Sequence, residues 1–181
     1  MKLTKLESKG YVSTLVTQNV DRSHQKACHK KVTDLHGRLA QVVCMDCGSI
    51  TSPDQIQAWR RDHNPHISGI EVEKSALRPD GDADVGDKLI HEIKVPQCPS
   101  CSGLLKPNVV FYGSTVNKEV VNYLLDRLRK AKALLVIGTS LMVYSSFRFC
   151  KYANENQIPM ACVNQGLTRG DSLFSLKVGG D

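Results

Sequence analysis

No stretch of this chain approaches the roughly 20 consecutive apolar residues that a membrane-spanning helix needs, so no membrane partner is expected. The opening Met1-Lys2-Leu3-Thr4-Lys5-Leu6 lacks the apolar core of a signal peptide. It is also too short and too poor in arginine for a transit peptide, and reads as a sequence entered partway through. Internal repeats and low-complexity segments are absent, which excludes solenoids. No G-x-G-x-x-G occurs. Gly81 to Gly86 has P-loop spacing, but Asp87-Lys88 follows where Lys-Ser/Thr is required, so a glycine loop cradling phosphate is excluded as well. Few aromatics flank the basic run Lys118 to Lys132, which reads as the solvated face of a helix. A nucleic-acid platform would pair such charge with stacking rings, so no specific nucleic acid is expected.

What is present is ordinary in bulk. The 181 residues carry a net charge of +6, with 41% hydrophobic and 23% charged residues. That suits one domain with a real core, or one plus a small insert. Seven cysteines are an odd number for full pairing and suit a reducing interior. Four of them form two knuckles, Cys44-Met45-Asp46-Cys47 and Cys98-Pro99-Ser100-Cys101, each at a turn marked by glycine or proline. Two C-x-x-C pairs supply the four thiolates of a closed tetrahedral zinc site, and this spacing favours zinc over two disulfides or idle thiols. A fully thiolate-ligated zinc is structural, so any chemistry must come from elsewhere. The long gap from Gly48 to Gln97 implies an inserted subdomain. Of the remaining cysteines, Cys150 and Cys162 fall in apolar patterns and read as inert core thiols.

Along the chain, Tyr11 to Val16 reads as a buried strand ending in Thr17-Gln18-Asn19. Ser52-Pro53 reads as an N-cap and first helical residue, opening a helix through about His63. Asn64 to Asp87, rich in Gly, Pro and Asp, reads as a long loop. Val120, Val121, Leu124, Leu125, Leu128 and Ala131 fall at helical spacing within Asn117 to Lys132. Leu134 to Ile137 predicts a strand, Tyr144 to Asn156 a helix, and Pro159 to Val163 another strand. Strand alternating with helix implies a parallel sheet covered on both faces.

Three of these strands end in small or polar residues: Gln18-Asn19-Val20-Asp21, Gly138-Thr139-Ser140 and Asn164-Gln165-Gly166. Open α/β sheets bind ligands outside the carboxyl ends of their strands, so the three clusters are expected to line one nucleotide crevice. His36, in Leu35-His36-Gly37, joins that crevice to the zinc insert. Its imidazole is the natural general base near neutral pH.

In this order the pieces resemble the sirtuins, the NAD-dependent protein-lysine deacylases. The motifs are Thr17-Gln18-Asn19-Val20-Asp21 with His24, Leu35-His36-Gly37, the two knuckles, Lys106-Pro107-Asn108-Val109-Val110-Phe111-Tyr112-Gly113, Gly138-Thr139-Ser140-Leu141-Met142-Val143 and Val163-Asn164. Arg78 to Asp82, Thr115 to Asn117 and Val143 to Phe149 look most like the class II, mitochondrial sirtuin-four branch. The resemblance implies a Rossmann-like parallel sheet plus a small zinc-binding subdomain, with residues 1–37 and 104–181 as the NAD-binding portion and 38–103 as the insert. It implies that Gln18, Asn19, Val20 and Asp21 hold the nicotinamide and its ribose. Gly138, Thr139 and Ser140, with Asn164, Gln165 and Gly166, would bind the adenosine side. His36 would be the base that deprotonates a ribose hydroxyl. Val109, Val110, Phe111, Tyr112 and Gly113, with Val143, would sandwich an acyl-lysine peptide as an added strand. The expected partners are acylated protein lysines, with NAD+ as co-substrate and Zn2+, held by Cys44, Cys47, Cys98 and Cys101, as a structural ion. The mitochondrial matrix is the implied location, with cytoplasm or nucleus open.

The family's glycine-rich N-terminal segment and cysteine-containing C-terminal stretch have no counterpart here. The chain therefore reads as truncated at both ends, with the first βαβ missing. Ser23, Cys28 and Ser114 stand where the family usually has Leu, Gly and an acid. Two functions follow from different classes. One is a deacylase that transfers the lysine acyl group to ADP-ribose and releases nicotinamide. The other is a catalytically impaired fragment acting only as a zinc-stabilised binding module.

Overall fold

A computed structural model describes residues 2–67 and 91–179. The chain divides into two compact units, residues 1–38 with 109–181, and residues 39–108.

The first unit opens with helix α1 (Lys2–Ser8), strand β1 (Leu15–Thr17), the short helix α2 (Ser23–Lys26) and strand β2 (Val32–Asp34). The expected strand from Tyr11 is much shorter than its apolar pattern suggests, and Tyr11 is 77% exposed. The reason is the end of α1. Gly10 N–H donates to the Glu7 carbonyl (2.9 Å) and Tyr11 N–H to the Leu6 carbonyl (3.0 Å), with Gly10 at φ +80°. That is a Schellman closure, so residues up to Tyr11 serve the helix terminus rather than a sheet.

After the second unit the chain forms α4 (Lys118–Arg129), β6 (Leu134–Ile137), α5 (Tyr144–Glu155), β7 (Met160–Val163) and β8 (Leu176–Val178). The helix and strand expectations here hold to within a few residues. Asn117 caps α4 by accepting the Glu119 N–H at 2.7 Å. The apolar face of α4 buries Val121, Leu124 and Leu128 against Phe149, Cys150 and Ala153 of α5 and against Val136, Met160 and Cys162 of the sheet. Burial pushes the Cys150 thiol up to about 11, in keeping with an inert core cysteine.

Two features depart from the expected sheet. The strands are parallel, but they form two separate sheets, β1-β2 and β6-β7-β8. And β6 is not covered on both faces: Leu135 is 50% and Ile137 46% exposed, while Val136 is buried. Among the described residues α4 and α5 share one core with a single face of this sheet, so only alternate strand residues are buried.

The second unit holds most of β3 (Gly37–Cys44) and β5 (Leu105–Val109), with β4 (Ile50–Thr51) and α3 (Pro53–His63). The sheet order is β4-β3-β5. The helix start matches the expectation. Ser52 accepts from the Gln55 N–H at 3.2 Å and Gln55 accepts from the Ser52 N–H at 3.4 Å, a capping box with Pro at the first position. Of the loop expected from Asn64 to Asp87, Pro65–Ile67 forms a 3-10 turn and residues 68–87 lie outside the described residues, as does the Arg78–Asp82 motif.

Asn64 ties the end of α3 to Lys94. It is fully buried, donates to the Arg60 and Lys94 carbonyls (3.0 and 3.1 Å) and accepts from the Lys94 N–H (2.6 Å). Asn64→Ala strands the Lys94 N–H and carbonyl, at about 1–3 kcal/mol each if they stay dry, while the Arg60 carbonyl keeps the backbone N–H of residue 64 at 3.0 Å. Hydrogen exchange is expected to show the Lys94 amide losing protection while amides of β6 and β7 keep theirs.

Candidate functional site

The first unit gathers its polar residues at the carboxyl ends of its parallel strands. Register places Ile137 opposite Val163 and Thr17 opposite Asp34, so Gly138 and Asn164 leave neighbouring strands together, and Gln18 leaves β1 beside Leu35-His36. The Gly138 N–H donates to the Val163 carbonyl at 2.9 Å. Although β1 and β6 belong to different sheets, Gln18 Nε2 donates to Thr139 Oγ1 at 3.1 Å. Thr139 Oγ1 also accepts the Leu141 N–H at 3.1 Å, which fixes the hydroxyl at the turn. The Ser140 carbonyl accepts the Arg169 N–H at 2.8 Å. Asn164 Nδ2 folds onto the Gln165 carbonyl at 2.8 Å, and the Gly166 carbonyl accepts from Lys177 Nζ at 2.9 Å.

Not every expected residue joins this cluster. Both carboxylate oxygens of Asp21 are taken by Ser23, from its N–H at 3.0 Å and its hydroxyl at 2.6 Å. The Ser23 hydroxyl, followed by the Ser23 N–H, holds that carboxyl below its ordinary value. Asn19 is exposed, and its N–H donates to Thr17 Oγ1 at 3.1 Å. Val20 is half-buried.

His36 sits on the turn between β2 and β3, where Gly37 takes φ +80°, a left-handed conformation that costs a side-chain-bearing residue strain. The turn is anchored from below by Asp34, whose carboxylate pairs with Arg38 at 2.8 Å and accepts from Gln25 Nε2 at 2.8 Å. The half-buried imidazole bonds through Nε2 with Ser145 Oγ at 2.8 Å. Burial lowers its proton affinity below the ordinary histidine value of 6.5, and a hydrogen bond to the Gln18 backbone opposes this. The ring is therefore neutral at pH 7, with a nitrogen available as acceptor. Ser145, Asp34 and Gln25 were not singled out by the sequence. They lie far from His36 or in unremarkable contexts, and only the fold brings them to it.

Two exposed apolar segments adjoin His36. The Val110 N–H donates to the His36 carbonyl at 2.9 Å, and the chain continues through Phe111, 51% exposed, and Tyr112, fully exposed, to Gly113. Ser145 follows Met142, Val143 and Tyr144, all exposed. Val109 ends β5 and is half-buried. Exposed aromatic and aliphatic side chains in two segments bonded to His36 are what a bound chain would cover.

The second unit contains the cysteine cluster. β3 delivers Cys44, and the tight turn after it, closed by Gly48 N–H to the Cys44 carbonyl at 3.1 Å, turns Cys47 back. The second knuckle closes in the same way, with Ser102 N–H on the Cys98 carbonyl at 2.8 Å and Cys98 N–H on the Gly103 carbonyl at 2.9 Å. Met45 N–H to the Leu104 carbonyl, 2.8 Å, ties the knuckles together. All four sulfurs lie within 4.8 Å of one another, with Cys44 to Cys101 at 3.5 Å and Cys47 to Cys98 at 3.7 Å. A disulfide requires about 2.05 Å, and every cysteine is free. A tetrahedron with zinc–sulfur bonds of about 2.3 Å has edges of about 3.8 Å, so the four thiols fit zinc. Their ionisation points the same way. The Ser49 hydroxyl and the Ser100 N–H bring Cys98 down to about 6. Cys101 is pushed up to about 12 despite the Gly103 N–H, because the Cys47 and Cys44 sulfurs crowd it. Four thiols this close cannot all be thiolates without a cation among them.

Comparisons with known proteins converge. The model of the Sir2 family matches residues 1–145. NAD-dependent protein deacetylase 2 of Bradyrhizobium diazoefficiens is 47% identical over 176 residues, covering 97% of this chain and 63% of that protein. The human NAD-dependent protein lipoamidase sirtuin-4, mitochondrial, is 42% identical over 176 residues, covering 97% of this chain and 55% of its own. A solved structure of Sir2 with a p53 peptide and NAD+ superposes with a TM-score of 0.72 at 27% identity, over 97% of this chain and 60% of that one. Sir2 bound to acetylated peptide gives 0.73 at 26%, over 97% and 61%. The chain thus spans roughly three-fifths of the length of the relatives it matches.

Proposed function

Since the chain belongs to the Sir2 family, we propose that it carries the catalytic part of an NAD-dependent protein-lysine deacylase, with His36 as its base. The observation that carries this reading is the position of His36. Its ring, neutral at pH 7, is held by Gln18 and Ser145, and two exposed apolar segments adjoin it through Val110 and Ser145. The polar strand ends take NAD+, with Gln18 at the nicotinamide side and Gly138, Thr139, Ser140, Asn164, Gln165 and Gly166 toward the adenosine. Asn19, Val20 and Asp21 complete the nicotinamide side. Asp21 must give up its bonds to Ser23 to do so. An acyl-lysine peptide lies extended between Val109–Gly113 and Val143, its backbone hydrogen-bonding as an added strand.

The acyl amide oxygen attacks the anomeric carbon of the nicotinamide ribose, and the carbon–nitrogen bond to nicotinamide breaks. His36 takes the proton of a ribose hydroxyl, which then attacks the imidate carbon. Addition of water and loss of the amine leave free lysine and O-acyl-ADP-ribose. The zinc of Cys44, Cys47, Cys98 and Cys101 holds the second unit in shape and takes no part in a step.

The test is stoichiometric. Purified protein with NAD+ and an acetyl-lysine peptide is expected to yield nicotinamide, deacylated peptide and O-acetyl-ADP-ribose in equal amounts by mass spectrometry. Free acetate formed without nicotinamide would overturn the reading.

The pH profile follows from His36. Its proton affinity is lowered by burial, so the acid limb of kcat/KM is expected below pH 6.5. The stability contribution has the same sign. The unfolded ring takes up a proton as pH falls through 6.5 and the folded ring does so only lower, so native stability drops across that window and levels off beneath it.

Among the described residues no helix is long and apolar enough to cross a membrane. Action in the mitochondrion is supported by the names of the human and bovine relatives, and subcellular fractionation checks it.

A further inference from the structure

At the opposite end of the β1–β2 ladder from His36 lies a cavity of about 350 Å³ that the proposed reaction does not use. Its wall comes from the segment entering β1, the segment entering β2, and one side of α4. Three cations line it, Lys30, Lys31 and Arg127, and no carboxylate does. Ser13, Thr14, Val32, Thr33 and Tyr123 complete the lining. Arg127 is held in place there, donating from Nε to Thr14 Oγ1 at 3.1 Å and from Nη2 to the Ser13 carbonyl at 3.3 Å. Five N–H groups belong to a guanidinium, so three have no partner among the described residues. Neither lysine ammonium forms an ion pair among them. The carboxylates nearby have other partners, although the Lys31 charge also acts on Glu7. Glu7 accepts the backbone N–H groups of Lys30 and Lys31 at 3.0 and 2.8 Å and lies 3.3 Å from His29, and Asp126 pairs with Arg129 and Lys130.

We propose that this cavity binds a small phosphate-bearing molecule, its phosphate oxygens on Arg127, Lys30 and Lys31. A planar fork prefixed by two hydrogen bonds, two exposed lysines and the hydroxyl-bearing Ser13, Thr14 and Thr33 match the oxygens of a phosphate or diphosphate. The hollow is open, with Ser13, Lys30, Lys31 and Tyr123 exposed, and its volume is at the small end of the range for ligand sites, about 300–1,000 Å³, room enough for one small anion. The site stands on the amino ends of the strands, whereas the polar cluster at Gln18, Thr139 and His36 stands on their carboxyl ends. Its occupant is therefore a second ligand, and the assignment does not depend on the deacylase reading.

Calorimetry on the whole protein with pyrophosphate as the probe tests this. Wild type is expected to bind with an affinity that falls as salt rises. The double variant Lys30→Ala/Lys31→Ala keeps the backbone N–H groups that Glu7 caps, and is expected to bind at least about tenfold more weakly. Lys118→Ala/Lys132→Ala, which removes two cations outside the cavity, is expected to bind as wild type does. Circular dichroism confirms that each variant is folded. No binding by wild type at millimolar probe, or equal binding by both double variants, overturns the proposal. So does binding that is lost in Gln18→Ala but kept in the Lys30/Lys31 variant, which would put the probe at the carboxyl ends. A hexaglutamate peptide that binds more tightly than pyrophosphate would assign the surface to acidic proteins instead.

Discussion

Cys98→Ala is expected to strip the metal from the protein and unfold residues 39–108 while β6, β7 and β8 stay intact. The two units have separate interiors. Leu124, Phe149, Cys150, Ala153 and Cys162 form the core of the first. The second has no comparable core among the described residues; its buried side chains are chiefly Cys44, Cys98, Thr51 and Asn64. A unit that buries thiols and an amide in place of aliphatic residues depends on its metal. Structural zinc binding is worth about 10–16 kcal/mol in small domains, as much as the whole stability of a typical domain, about 5–15 kcal/mol. Cys98 is the most telling ligand to remove, because the Ser49 hydroxyl and Ser100 N–H already favour its thiolate. Elemental analysis is expected to find one zinc per wild-type chain and none in the variant. Hydrogen exchange is expected to show β3 and β5 amides losing protection and β7 amides keeping it. A fully protected second unit without metal would show that the cysteines are not its main support.

His36→Ala is expected to abolish acyl transfer to ADP-ribose, with kcat/KM falling about 10²–10⁴-fold, the usual worth of a positioned general base. Zinc content and the thermal midpoint are expected to stay close to wild type, since the ring is only half-buried and its polar partners face the site. Two comparisons separate a catalytic from a structural loss. Ser145→Ala removes the 2.8 Å contact that orients the ring and is expected to cost about five- to tenfold, the worth of one hydrogen bond. His24 lies on α2, edge-on to His29 with ring centroids 5.7 Å apart. His24→Ala is expected to cost less than His36→Ala. If the two histidines cost the same, or if His36→Ala loses activity only by shedding zinc, His36 is not the base.

Much of this protein is legible in its local chemistry. The two C-x-x-C turns carry their own closure, in the hydrogen bonds around Gly48 and Gly103, so their ability to face one ion is a property of a few residues each. The same is true of the Ser52-Pro53 start of α3, where the capping box is written in Ser52 and Gln55, and of the 3.6-residue spacing that buries Val121, Leu124 and Leu128 on α4. That the polar strand ends follow β1, β6 and β7 is equally a matter of local punctuation. Tertiary structure decided what periodicity cannot encode. An apolar residue at a helix terminus and one entering a strand look alike, so Tyr11 was drawn to a sheet although the Gly10 closure keeps it with α1. An all-apolar strand does not say whether one or both of its faces are covered, and in β6 only alternate residues are. Pairings across long stretches of chain, Ser145 to His36, Gln18 to Thr139 and Arg127 to Thr14, depend on how separate elements pack. Those contacts orient the proposed base and shape the basic cavity, because hydrogen bonds act over about 3 Å and the chain's order alone does not set distances between residues a hundred positions apart.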